Sequence, residues 1–120
     1  MTKDSRVVLV ALAVTVLVGC GKAEPYGASL SLSAKTAVAD ILTEPAKFEG
    51  KDVRLEGKID VECPTGCWFE LKEGNAVIFV DLKGSGEAIP QRVGSKVAVE
   101  GKIAVVDGRI TLNATGLEIK

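Results

Sequence analysis

The sequence predicts an all-β domain: a closed barrel of five strands with one short helix in front of it. Three observations carry this. Period-two alternation of apolar and polar residues recurs between 53 and 119, and such alternation marks strands with one buried face. Turn signals separate the runs, at Glu73-Gly74-Asn75 and at Asp107-Gly108. Two runs share a motif: "VRLEGKI" (53–59) and "VAVEGKI" (97–103) match Val53 to Val97, Leu55 to Val99, Gly57 to Gly101 and Ile59 to Ile103.

The elements follow in order. In "TAVADILTEPAKFEGK", Val38, Ile41 and Leu42 recur at helical spacing. Pro45 limits the helix, because the residue before a proline avoids the α region. This gives a short helix over about 37–44 and a turn at Glu49-Gly50-Lys51. In "DVRLEGKIDVEC", Val53, Leu55, Ile59 and Val61 share one face, and Arg54, Glu56, Lys58, Asp60 and Glu62 the other. Gly57 falls on the apolar face, where a bend or a close backbone approach fits. "CWFELK" sets Phe69 and Leu71 against Trp68, Glu70 and Lys72. "AVIFVDL" is nearly all apolar and reads as a strand buried on both sides. "KGSGEAIPQRVGS" breaks the pattern and has room for a short helical turn near 87–91. "KVAVEGKIAVV" and "RITLNATGLEIK" are the fourth and fifth strands. The shared motif makes strands one and four solve the same problem, alternation followed by a glycine where the strand curls. In a closed five-stranded barrel these two are the closing pair, and closure removes exposed edges.

Helix, hairpin, third strand, broken connection and final hairpin together resemble the OB-fold. The run containing Cys63, Gly66, Cys67, Trp68, Ile89 and Pro90 also resembles a family of small exported bacterial OB-fold proteins of unassigned function, in which Gly-Cys-Trp follows an earlier cysteine. The resemblance covers about 50–119. It departs at Phe69, where many members have methionine, so a thioether role does not transfer.

The N-terminus gives an address. Lys3 and Arg6 precede a run from Val7 to Val18 that is apolar except for Thr15. Twelve residues are too few to cross a bilayer and suit the apolar part of a signal peptide. The run ends in Leu17-Val18-Gly19-Cys20, which resembles the lipobox of bacterial lipoproteins. That resemblance implies cleavage after Gly19, diacylglycerol on Cys20, and membrane attachment through that lipid. Two acyl chains suffice for stable anchoring. Gly21 stands where an Asp would resemble an inner-membrane retention signal. In a Gram-negative cell this favours the outer membrane, facing the periplasm. The expected organisation is a signal peptide at 1–19, the lipidated Cys20 and a Gly/Ala/Ser-rich tether at 20–36, with some order around Leu30 and Leu32, and the barrel at 37–120.

Composition narrows the function. Loss of residues 1–19 removes Lys3, Arg6 and Asp4, so the mature chain carries 13 basic and 15 acidic side chains, net −2. Duplex-binding domains carry a basic excess, so nucleic acid is a poor partner for this chain. There is no histidine, and the single methionine is Met1. No Ser-His-Asp constellation can form, and no carboxylate pair stands out. The chain reads as a non-enzyme that needs no cofactor.

Cys63 and Cys67 enclose Pro64-Thr65-Gly66. Proline suits the first position of a type I turn, and glycine suits a following left-handed position. A three-residue hairpin loop of this kind would set Cys63 directly opposite Cys67, within disulfide reach. Export favours oxidation. A structural disulfide is therefore the first reading, a redox-active pair the second and metal ligation the last. A zinc site needs four ligands and exported copper sites favour Met and His, neither of which is available here. Two functions follow. One is a lipid-anchored OB barrel that binds a periplasmic protein or oligosaccharide on the face of strands one to three, with Trp68, Arg54 and Lys58 as candidate contacts. The other is thiol-redox or metal handling at Cys63 and Cys67.

Overall fold

A computed structural model describes residues 23–120. The expected signal peptide, residues 1–19, and Cys20 lie outside the described residues. The elements are β1 (Glu24–Gly27), α1 (Val38–Thr43), α2 (Pro45–Phe48), β2 (Asp52–Glu62), β3 (Trp68–Glu73), β4 (Ala76–Asp81), a 3₁₀ turn (Lys83–Ser85), β5 (Lys96–Val106) and β6 (Arg109–Ile119). No helix among the described residues is long and apolar enough to cross a membrane.

Strands β2 to β6 close into the five-stranded OB-fold-like barrel. The ring runs β2–β3–β4–β6–β5 and back to β2, with only the β4–β6 pair parallel. The closing β2–β5 pair sets Val53 opposite Gly101, Leu55 opposite Val99 and Gly57 opposite Val97. The shared motif thus pairs with itself, antiparallel. Both of its glycines meet a neighbouring main chain. A Cβ on Gly57 would stand 2.5 Å from the Lys72 carbonyl oxygen, and one on Gly101 would stand 2.2 Å from that of Asn113. At Glu100/Gly101 the β5–β6 register also shifts by a bulge, the device that bends a strand around a barrel.

The interior holds Leu55, Ile59, Phe69, Leu71, Ile78, Val80, Val99, Ile103, Leu112 and Leu117, and α1 adds Val38 and Ile41. The main-chain N–H of Val38, at the start of α1, donates to Glu73 Oε1 at 2.9 Å, satisfying one of the helix's orphan donors. Pro45 does end α1, and it opens α2 from the first helical turn, where its missing N–H costs nothing. Among the described residues the five strands and α1 share one contiguous core, the organisation of a domain that can fold alone.

Four expectations change. The β2–β3 register shifts between Ile59 and Val61, so alternation inverts at the end of β2. Val61 is turned out, 44% exposed, and Glu62 is turned in, 8% exposed. There Glu62 Oε1 accepts the Arg92 main-chain N–H at 2.9 Å. β4 is not buried on both sides: Ile78 and Val80 face the core, Val77 is 37% exposed and Phe79 half-buried. Residues 87–91 form no helical turn; the single turn falls at Lys83–Ser85, where the Ser85 hydroxyl donates to the Leu82 carbonyl at 2.7 Å.

The fourth change concerns the tether. Its described part adds a strand to the barrel: β1 pairs antiparallel with β6, Glu24 opposite Ile119 and Gly27 opposite Gly116. On that edge β6 meets β4 only at Thr111–Asn113, so its later residues have main-chain groups to offer. Beyond β1 the segment is pinned by buried Glu100, whose carboxylate accepts the N–H groups of Ser31 (2.9 Å) and Leu32 (2.7 Å). Order near Leu32, expected from sequence, has this cause.

Candidate functional site

The turn between β2 and β3 builds the thiol site. The Gly66 N–H donates to the Cys63 carbonyl at 2.8 Å, which closes a turn over Pro64-Thr65. Gly66 takes φ +72°, the left-handed value expected from its place in the loop. A second constraint also demands glycine, since a Cβ there would stand 2.1 Å from the Ile89 carbonyl oxygen. That close approach lets the Ile89 N–H donate to the Gly66 carbonyl at 3.1 Å. The Gln91 side-chain amide donates to the carbonyls of Cys63 (2.9 Å) and Pro64 (3.3 Å). The loop over 87–95 thus clamps the cysteine turn.

Cys63 does not face Cys67 across the ladder. Its N–H donates to the Trp68 carbonyl at 3.0 Å, so the connection has four residues and Cys67 lies within it. The turn nevertheless curls Cys67 back. The turn brings the two sulfurs to 2.8 Å. The Thr65 hydroxyl lies 3.1 Å from Cys63 Sγ and 3.5 Å from Cys67 Sγ. Hydrogen bonding from the Cys67 thiol first, and from the Thr65 hydroxyl second, holds the Cys63 thiol at about 6, against an ordinary 9.0. Donors that favour the thiolate lower its pKa. Cys63 is buried and Cys67 half-buried, and a shallow depression of about 280 Å³, lined by Cys67, Leu82, Lys83, Gly86, Glu87 and Ala88, opens beside Cys67. Among the described residues no three or more His, Cys, Asp or Glu side chains gather as a metal site.

The second feature is the outer face of β3, β4 and β6. Trp68 points outward and is half-buried; it packs not under α1 but on Phe79, with ring centroids 5.2 Å apart and planes tilted by 31°. On Phe79's other flank the Arg109 guanidinium lies 4.3 Å from the ring centroid. Register explains the cluster. Trp68 opposes Asp81, Glu70 opposes Phe79, and Phe79 opposes Thr111, so Trp68 and Arg109 approach Phe79 along the two diagonals. Exposed Val61 and Val77 flank it, with Glu70 between Val61 and Phe79.

The structure separates the other two candidate contacts from Trp68. Arg54 is engaged: its guanidinium donates to the Leu32 carbonyl at 3.0 Å and pairs with Glu56 at 3.2 Å. It holds the N-terminal segment and is only 20% exposed. Lys58 is exposed and stands opposite Lys72 on β3 and Lys96 on β5. Sequence reading missed Phe79 and Arg109. Alternation along β4 and β6 does place both outward, but nothing in the linear order puts them together.

No family model matches the chain, and no curated protein matches it in sequence. Solved structures do resemble it. The hypothetical protein ygiW of E. coli superposes with a TM-score of 0.59 at 15% identity, over 78% of this chain and 98% of that one. Asparaginyl-tRNA synthetase of Pyrococcus horikoshii gives a TM-score of 0.57 at 18% identity, over 73% of this chain but only 23% of the enzyme. Similarity at this level establishes the fold, a small OB barrel, and the fold leaves the ligand open.

Proposed function

We propose that this protein is an exported, lipid-anchored OB-fold binding module that recognises a periplasmic protein partner through Trp68, Phe79 and Arg109. The carrying observation is the outward-facing Trp68–Phe79–Arg109 cluster, with Arg109 exposed and both rings half-buried among the described residues. An aromatic and Arg centre with valines beside it and charges at the edge is the usual anatomy of a protein interface. OB barrels bind ligands on this side of the sheet. An oligosaccharide is the second ligand class, since sugars also stack on aromatic rings. Anchoring through Cys20 and an outer-membrane address rest on the lipobox.

The test is a photo-crosslinking residue placed at Thr111, in cells. The expected product is one discrete protein adduct, weakened at least tenfold by Trp68→Ala or Arg109→Ala, because central aromatic and Arg contacts carry about 2 kcal/mol or more. An adduct that resists protease and yields to glycosidase would select the oligosaccharide. Equal adducts from Thr111 and from Lys96, at the opposite end of β5 from Ala104, the partner of Thr111, would defeat the assignment of this face.

A second reading, thiol exchange at Cys63 and Cys67, is favoured by the 2.8 Å sulfur separation and the depressed Cys63 thiol. Glutathione redox titration separates a staple from an exchange site. A pair that stays oxidised below about −300 mV is structural, and one that opens near −200 mV exchanges with the cellular pool.

A further inference from the structure

The strand register gathers four lysines that lie far apart in the sequence. Lys72 on β3 opposes Lys58 on β2, and Lys58 opposes Lys96 on β5. The Lys120 N–H, just past β6, donates to the Lys96 carbonyl at 2.8 Å. The result is one row, Lys72–Lys58–Lys96–Lys120, crossing neighbouring strands at about 4.8 Å per step. All four are exposed and all four line a single depression of about 280 Å³, with Glu56 as its only acidic side chain. Glu56 is already held by Arg54 at 3.2 Å. None of the four lysines joins an ion pair among the described residues. Like charges directly opposite each other destabilise a sheet, and this row repeats that arrangement with Glu56, paired to Arg54, as the one acidic side chain in the depression. The mature chain has 13 basic and 15 acidic side chains, so taking these four away leaves nine basic against fifteen acidic over the rest.

The same register fixes where the anchor leaves the barrel. β1 is antiparallel to β6 with Glu24 opposite Ile119. The chain traced back from Glu24 therefore arrives at Ala23 beside Lys120. Cys20 is three residues earlier, and three residues span at most about 11 Å whatever path they take.

We infer that the row formed by Lys58, Lys72, Lys96 and Lys120 is the membrane-facing surface of the protein, seating anionic phospholipid headgroups beside the lipid on Cys20. The inference rests on the anchored reading of Cys20. It gives the barrel an orientation: lysines on the headgroups, and the Trp68–Phe79–Arg109 face available along the side.

The test is sedimentation of residues 23–120 with vesicles of phosphatidylcholine alone or mixed with phosphatidylglycerol, at low and at physiological salt. Binding to the mixed vesicles only, weakened by salt, is expected. Each lysine near an anionic surface is worth about fivefold in partitioning, so K58Q/K72Q/K96Q/K120Q reduces it on the order of several hundredfold. All four positions are exposed, and the changes remove like-charge contacts. The control K47Q/K51Q/K83Q/K102Q has the same net charge and should retain binding to within about fivefold. Equal loss in both variants, no vesicle binding, or binding of inorganic phosphate at the row without vesicle binding would each overturn the inference. The intact mass of the full chain extracted from membranes reads the lipid on Cys20 separately. If Cys20 is bare and vesicle binding persists, the anchored reading fails and the lysine surface stands; the reverse outcome has the opposite meaning.

Discussion

Removal of the Cys67 thiol should change the protonation of Cys63 more than any other single substitution. At about 6, the Cys63 thiol is roughly nine-tenths ionised at pH 7, whereas at its ordinary 9.0 it would be about one-hundredth ionised. The largest cause is the hydrogen bond from Cys67, and the second is that from Thr65. In reduced Cys67→Ala the Cys63 titration should therefore move well up towards 9.0, and in Thr65→Val it should move up by less. The assay is thiolate absorbance near 240 nm against pH, supported by alkylation rate at pH 7, which should fall for Cys63 in Cys67→Ala. Stability follows with a defined sign. A depressed thiol stabilises the folded reduced protein above the unfolded value, and that contribution is lost as pH falls through the folded value. The urea midpoint of the reduced wild type should thus decline between about pH 9 and pH 6, and the decline should be shallower in Cys67→Ala. If Cys63 in Cys67→Ala still titrates near 6, the short sulfur–sulfur contact is not what holds it down.

Three further outcomes test the fold and the support of the site. Phe69→Ala, at a fully buried position in the barrel core, should cost about 3–5 kcal/mol in urea unfolding; a loss under 1 kcal/mol would mean that the interior is not packed as described. Gly66→Ala must place a Cβ at left-handed φ and against the Ile89 carbonyl. It should cost at least about 1–2 kcal/mol and speed amide exchange at Ile89, and an unchanged Ile89 amide would show that the clamp does not depend on this glycine. Glu100→Ala removes the acceptor of the Ser31 and Leu32 N–H groups. It should cost about 1.5–3 kcal/mol and open the 28–36 segment to protease, with an unchanged cleavage rate as the refuting result.

Much of the barrel was legible because strands with one wet face write their burial into alternation. Leu55, Ile59, Phe69, Leu71 and Leu112 are all inside, and the paired glycines at 57 and 101 announced the closing strands. The errors share a cause. Val61 and Glu62 exchanged faces because one extra residue in a bulge inverts parity, and no side-chain pattern announces a bulge. β1 went unseen because "EPYG" is held by main-chain hydrogen bonds to an available edge, which depend on where β6 runs and not on what β1 is made of. Arg54 looked like a surface cation and serves as a fastening for Leu32.

The candidate site divides the same way. Residue chemistry alone showed an N-terminus that resembles a lipobox, an OB-like barrel, two close cysteines in a turn that needs Gly66, and no histidine to support a triad or a common metal site. Those are properties of local spacing and composition, which the linear chain carries intact. Tertiary structure decided which residues act together: Trp68 with Phe79 and Arg109, Lys58 with Lys72, Lys96 and Lys120, and Ile89 and Gln91 on the cysteine turn. Such groupings are set by cross-strand register, and register depends on bulges and turn lengths whose effects accumulate around a closed barrel.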